Sequence, residues 1–289
     1  LVAGGANDAA SHLLLIQAHS LSGDTTAAVA AVGSLFQLAW DEKTAAEYLA
    51  STVQAVSTVS RVLTADEKFE AAEKLQSDWQ TKLESFKPEA DPLKQQVQNA
   101  LRMLQSMRQQ AAAAKARAAL VGTQYTPLDD PTWLNGTPLS PGELRGKVVL
   151  LDFWAVWCGP CIATFPHLIE WHEKYADKGL VIIGVTKRYG FDWDAEAKRA
   201  KSVGELEPAK EDAATTEFAK HYGLKHRLAV TVDNSASQKY GVTGIPQAVL
   251  VDQGGVIRMI KVGSGEKNAA DLESEIRKLL GLDDAVTTK

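Results

Sequence analysis

The chain has 289 residues, enough for two ordinary domains, and its 45% apolar and 23% charged content is that of an ordinary globular protein. The net charge of −5 is spread evenly, with 11 basic against 13 acidic residues through Val121 and 20 against 23 after it. This argues against a nucleic-acid partner, which needs clustered Lys and Arg. No run approaches the roughly 20 apolar residues of a spanning helix. Leu13 to Ile16 is too short, and the tract from Ala111 to Ala119 carries Lys115 and Arg117.

Residues 1–121 read as an all-α region. Asp24 is placed to cap a helix running towards Trp40, and a further helix is expected from Asp41 to about Leu63. Thr64-Ala65-Asp66-Glu67 has the form of a capping box, with Thr64 accepting from the Glu67 N–H and Glu67 reaching back. Phe69, Ala72, Leu75, Trp79, Leu83 and Phe86 then recur at helical spacing and form one apolar stripe. Lys87 to Pro92 should break that helix, and Asp91-Pro92 should start the next as N-cap and first helical residue. Leu93, Val97, Leu101 and Leu104 share its apolar face, and Gly122 ends it.

Residues 122–289 carry a different pattern, in which short β-rich runs replace long amphipathic segments. Asn135-Gly136 suits a tight hairpin turn. Lys147 to Phe153 is a continuous apolar run, as in a strand buried on both faces. A helix from about Gly159, a strand from Leu180 to Thr186, a helix near Ala213 to Tyr222 and a strand from Leu228 to Val232 should follow. Gln247 to Val251 and Val256 to Val262 form a hairpin, and Ala269 to Leu280 a last helix. Alternating strands and helices that end in a hairpin imply an α/β fold, a mixed sheet with helices on both faces.

Only two cysteines are present, Cys158 and Cys161, which excludes a disulfide framework. They lie in Trp157-Cys158-Gly159-Pro160-Cys161, directly after the buried strand and at the start of a helix. The nucleophile of disulfide exchange is the thiolate, which the free N–H groups and dipole of a helix N-terminus stabilise. Lowering a thiol from about pKa 8.5 to about 7 raises its thiolate fraction at neutral pH from roughly 3% to half. Cys158 is therefore the expected attacker, with Cys161 one turn later as the resolving thiol. Half of a zinc site is the rival reading. It lacks two further ligands, having no second cysteine pair and no His-rich cluster, and His167 reads as a half-exposed helical residue.

The segment Leu151-Asp152-Phe153-Trp154-Ala155-Val156-Trp157-Cys158-Gly159-Pro160-Cys161 resembles the active-site stretch of the thioredoxin-like superfamily. Pro166 matches that family's helix-kinking proline, Thr243-Gly244-Ile245-Pro246 its cis-proline loop, and Gly263 a glycine of its last strand. Within the superfamily the chain looks most like TlpA/ResA-type thiol–disulfide oxidoreductases. The features are the hairpin at Asn135-Gly136, the Leu144-Arg145-Gly146-Lys147-Val148-Val149 lead-in, and an insertion before the second helix. The resemblance covers a little over half the chain and says nothing about residues 1–121.

The resemblance implies a thioredoxin-like fold after the helical region and a protein disulfide reductase acting outside the cytoplasm, in the bacterial periplasm or anchored facing it. The chain begins at Leu1 rather than Met, which fits prior removal of a signal peptide or anchor. It also implies that Cys158 and Cys161 react, with Asp152 as proton relay for the resolving cysteine. Trp157, Gly159, Pro160, Ile245 and Pro246 would face a disulfide-containing protein substrate, and an upstream thiol donor would supply electrons. The redox-active pair itself would serve in place of any cofactor or metal. Thioredoxins place a buried lysine near the acid where Gly184 stands here, so Asp152 should titrate high by desolvation.

Several readings stay open at this point. The same chemistry serves a disulfide oxidase or isomerase, and the helical region could make the chain a scaffold. Copper-delivery proteins of this fold use a Cys-x3-Cys pair, unlike the spacing here. Trp154 reads as core packing, whereas Tyr189, Phe191 and Trp193 read either as a substrate patch or as the insertion's own small core. The stretch from Lys187 to Pro208 should leave the carboxyl end of its strand on the cysteine side of the sheet. It is long enough to be expected to fold beside the cysteines and select substrates.

Overall fold

A computed structural model describes residues 8–38, 40, 41 and 43–282, and its contacts divide the chain into two compact units at Ala118/Ala119. The first unit is built from α1 (Ala9–Ser22), α2 (Thr25–Gln37), α3 (Ala45–Ala65), α4 (Phe69–Ser85) and most of α5 (Asp91–Leu120). Asp8 and Asp24 cap α1 and α2 by accepting from the Ser11 and Ala27 N–H groups at 2.8 and 3.0 Å. The stripe of α4 is buried from Phe69 through Leu83, with Trp79 at its centre, and packs with Leu35, Val56 and Leu63.

The capping box at Thr64 does not form. Burial of Val56, Val59 and Leu63 carries α3 on through Ala65, so Thr64 lies inside that helix. Its carbonyl, not its hydroxyl, takes the Glu67 N–H at 3.2 Å, and α4 starts from Lys68 without a side-chain cap. Helix α5 opens one residue earlier than expected, with the Ala90 carbonyl accepting from the Lys94 N–H.

The second unit holds a six-stranded sheet in the order β1-β6-β3-β2-β7-β8. Its strands are β1 (Thr132–Trp133), β2 (Val148–Phe153), β3 (Leu180–Lys187), β6 (Arg227–Thr231), β7 (Gln247–Val251) and β8 (Ile257–Val262). Strands β2, β3 and β6 run parallel, whereas β7, β8 and β1 join antiparallel. Val148 and Leu150 face a cluster with α6 (Gly159–Tyr175), α7 (Pro208–His221) and α9 (Glu266–Leu279). Val149, Leu151 and Phe153 face the other side, covered by Tyr240, short α8 (Ser235–Lys239) and the segment before β2. Alternation along the strand therefore sends Asp152 to the side of α6 and α9. This is the mixed α/β arrangement of a thioredoxin-like fold.

Asn135-Gly136 closes no hairpin. The Asn135 side chain instead donates to the His226 carbonyl at 2.6 Å and accepts from the Leu228 N–H at 2.9 Å, tying the segment to the edge of β6. Gly136, at φ +62°, lies so close to Arg227 that an added Cβ would come within 1.9 Å of Nη1. The polar stretch after β3 is ordered as a separate hairpin of β4 (Phe191–Asp194) and β5 (Arg199–Ser202). Helix α7 starts at Pro208, ahead of the expected Ala213.

Candidate active site

The buried strand β2 ends by handing the Trp154 N–H to the Val185 carbonyl at 3.0 Å, and the chain then turns into α6. Cys158 is the N-cap of that helix, its own N–H held by the Ala155 carbonyl at 3.0 Å. Its sulfur accepts from the Cys161 N–H at 3.2 Å. Pro160 removes one donor from the first turn, where it is not needed, and its fixed φ suits the helix start. Cys158 and Cys161 are joined as a disulfide, with Cys158 4% exposed and Cys161 fully buried. The exposed edge of the pair thus belongs to the residue at the helix N-terminus.

The Ile245–Pro246 peptide is cis, as expected. Trp157 is 47% exposed and meets Tyr189 edge-on, with ring centroids 5.3 Å apart. Trp157, Tyr189, Lys187, Asn234, Thr243 and Ile245 help to line one groove of about 610 Å³ beside the cysteines.

Asp152 is 3% exposed, and its Oδ2 has no hydrogen-bond partner. Burial pushes its carboxyl up to about 7, because the charged form loses its water and gains no counter-charge. In the sheet it stands opposite Gly184 on β3 and Ala248 on β7. A Cβ at Gly184 would lie 2.8 Å from Leu228 Cδ2 and 2.9 Å from Trp154 Nε1, so no lysine fits there. Asp152 instead borders a cavity of about 30 Å³ shared with Thr164, His167, Pro246 and Lys261. That volume admits a water molecule. The Thr164 hydroxyl donates to the Cys161 carbonyl at 2.7 Å, so the cavity reaches the back of the first turn of α6.

Residues 120–280 match the Redoxin family, a little over half of the chain. The chain belongs to that family. The Redoxin domain is 31% identical over 149 residues to the thiol-disulfide oxidoreductase ResA of Bacillus thuringiensis, covering 51% of this chain and 72% of that protein. It is 32% identical over 152 residues to Protein DipZ of Mycobacterium bovis, covering 51% of this chain but only 19% of DipZ, so the chain spans about a fifth of that relative. The solved thiol-disulfide isomerase of Corynebacterium glutamicum aligns at 22% identity over 58% of this chain and 98% of that one, with a TM-score of 0.42. The match to the Redoxin family and to ResA makes this a thiol–disulfide oxidoreductase domain of TlpA/ResA type.

The Redoxin domain divides the aromatic residues of its insertion between two tasks. Tyr189 reaches the groove beside Trp157, whereas Trp193 packs against Phe218 and His221 on α7 at 5.7 and 5.2 Å. Trp154 is buried core, between Phe165 and Phe218. Two residues near the site carry no local sequence signal. Lys261 on β8 lines the Asp152 cavity while its Nζ donates to Asp271 Oδ2 at 2.6 Å. His226 is 1% exposed, and burial, then the neighbouring His172, pull its imidazole down to about 4.

Proposed function

We propose that this chain is a protein-disulfide reductase working outside the cytoplasm, with Cys158 and Cys161 as its only redox group. The observation that carries this reading is Cys158 at the N-terminus of α6, 4% exposed, with its partner sulfur buried behind it and the groove beside it. In the reduced state the Cys158 thiolate attacks one sulfur of a substrate disulfide, forming a mixed disulfide and expelling the other sulfur as a thiolate. Asp152, poised near neutral pH, takes the Cys161 proton, and the Cys161 thiolate then attacks Cys158 Sγ. The substrate's second thiolate leaves and the disulfide seen here results, so two electrons pass from enzyme to substrate.

Trp157, Gly159, Pro160, Ile245 and Pro246 are assigned to substrate contact, with the Ile245 backbone offered to an extended segment. An upstream thiol donor resets the pair. The Gly-Pro dipeptide between the cysteines, as in reducing members of the superfamily, supports the direction of transfer. ResA and DipZ relatives support a site outside the cytoplasm. No helix among the described residues is long and apolar enough to cross a membrane.

Equilibration against glutathione buffers tests the direction. A midpoint near the roughly −270 mV of thioredoxin is expected. A value above about −180 mV, the range of isomerases and oxidases, would overturn it. Trapping mixed disulfides with Cys161→Ser then identifies the substrates.

A further inference from the structure

Outside the cysteine pair, the most constrained polar group near the groove is the side chain of Glu211 on α7. It is 4% exposed, and its Oε1 accepts from three successive backbone N–H groups: Tyr189 at 2.6 Å, Gly190 at 2.8 Å and Phe191 at 3.2 Å. Successive N–H groups converging on one oxygen make an anion nest, here filled by the protein's own carboxylate. Gly190 permits the turn, since it sits at φ +74° and a Cβ there would come within 1.8 Å of the Gly204 carbonyl oxygen. The next residue on α7, Asp212, takes the Arg188 guanidinium by two bonds of 2.9 and 2.7 Å. Residues 188–191 are therefore clamped to α7 at four consecutive positions. The clamp fixes Tyr189 edge-on to Trp157, with Lys187 Nζ 5.0 Å from the tyrosine ring centre.

We propose that Glu211 is a positioning residue for substrate selection. By holding Tyr189 against Trp157 it builds an aromatic wall that favours an apolar or aromatic side chain next to the reacting cysteine of an extended polypeptide. This rests on the reductase reading above. The occupant follows from the groove itself. It adjoins Cys158 through Trp157, ends at Ile245, offers the polar side chain of Gln238 to a peptide backbone, and carries Lys187, whose Nζ is held by Asn234 Oδ1 at 2.7 Å, but no carboxylate. Arginine- or lysine-rich segments are disfavoured there, and neutral apolar ones are accepted.

The test uses the reduced full chain and two peptides, each with one cysteine in mixed disulfide with glutathione and flanked on both sides by Phe or by Gly. Cys158 bonds to the peptide sulfur and glutathione leaves as thiolate. Cys161 then displaces the peptide thiolate, leaving the enzyme disulfide. Single-turnover rates against peptide concentration should favour the Phe peptide by about tenfold, through its half-saturating concentration. Glu211→Ala should keep turnover of the Gly peptide and lose the preference. Glu211→Gln, whose amide oxygen still accepts N–H groups, should recover part of it. Tyr189→Ala should lose the preference, and adding Glu211→Ala to it should change nothing more. A preference that survives in folded Glu211→Ala, or equal slowing of both peptides by that variant, would overturn the proposal. Should Glu211→Ala fail to fold, an undiminished preference in Tyr189→Ala overturns it equally. Wild-type reduction of both peptides at one rate sinks this inference alone, whereas reduction of neither strikes the reductase reading itself.

Discussion

Replacing Asp152 by Asn should stabilise the oxidised protein in a pH-dependent way. The carboxyl titrates near 3.8 in an unfolded chain and is raised to about 7 by burial. An acid whose folded value is raised contributes stability that is full below the unfolded value and is lost as pH climbs to the folded one. The shift of about 3 units corresponds to about 4 kcal/mol, lost between pH 4 and pH 7. By pH 5 the loss is about 2 kcal/mol, and by pH 8 it is essentially complete. Asparagine removes that term but brings an amide whose donors lack protein partners, since Asp152 Oδ2 has none, at a cost of about 1–3 kcal/mol. The net expectation is a gain of about 2 kcal/mol at pH 8 that shrinks by a similar amount at pH 5. Urea midpoints of the two oxidised proteins at pH 5, 6.5 and 8 measure it. The same variant should lose the inflection near pH 7 in the rate at which Cys161 resolves a mixed disulfide. A stability difference independent of pH, together with an unchanged rate profile, would refute the assignment of Asp152 as the poised proton acceptor.

In the reduced protein, iodoacetamide should alkylate one fast thiol titrating below about 8, at Cys158; peptide mapping of the label to Cys161 would reverse the two roles. Gly184→Ala should cost about 1–3 kcal/mol in urea denaturation, because its methyl meets Leu228 at 2.8 Å and Trp154 at 2.9 Å within a packed sheet. Trp79→Ala, at a fully buried site in the helical unit, should cost about 3–5 kcal/mol in the helical melting transition while leaving disulfide exchange by the Redoxin domain intact.

The stripe of α4, the buried run of β2 and the Cys158-Gly159-Pro160-Cys161 turn were legible in the chain alone, because each depends on residues within one or two turns of one another. Periodicity declares which face of α4 is buried whatever it packs against. A strand apolar at every position but one declares burial on both sides, so Asp152 within it stands out as a group with a raised proton affinity. The places where reading and structure part are those decided by partners distant in the chain. Thr64 had the spacing of a cap, but the burial of Leu63 extended the helix past it. Asn135-Gly136 had the form of a hairpin turn, yet the Asn135 side chain found the backbone of His226 and Leu228 across 91 and 93 residues.

Tyr189 and Trp193 could not be told apart in the sequence, since an irregular segment has no period to assign its faces. A carboxylate on α7, 20 to 22 residues further on, turns the backbone so that Tyr189 reaches the active site and Trp193 the core. Chemistry that resides in one local turn was determined by the sequence itself. What surrounds that turn was decided only when the sheet brought β3, β8 and α7 to it, because side-chain direction outside regular elements is set by whichever polar partner the tertiary fold supplies.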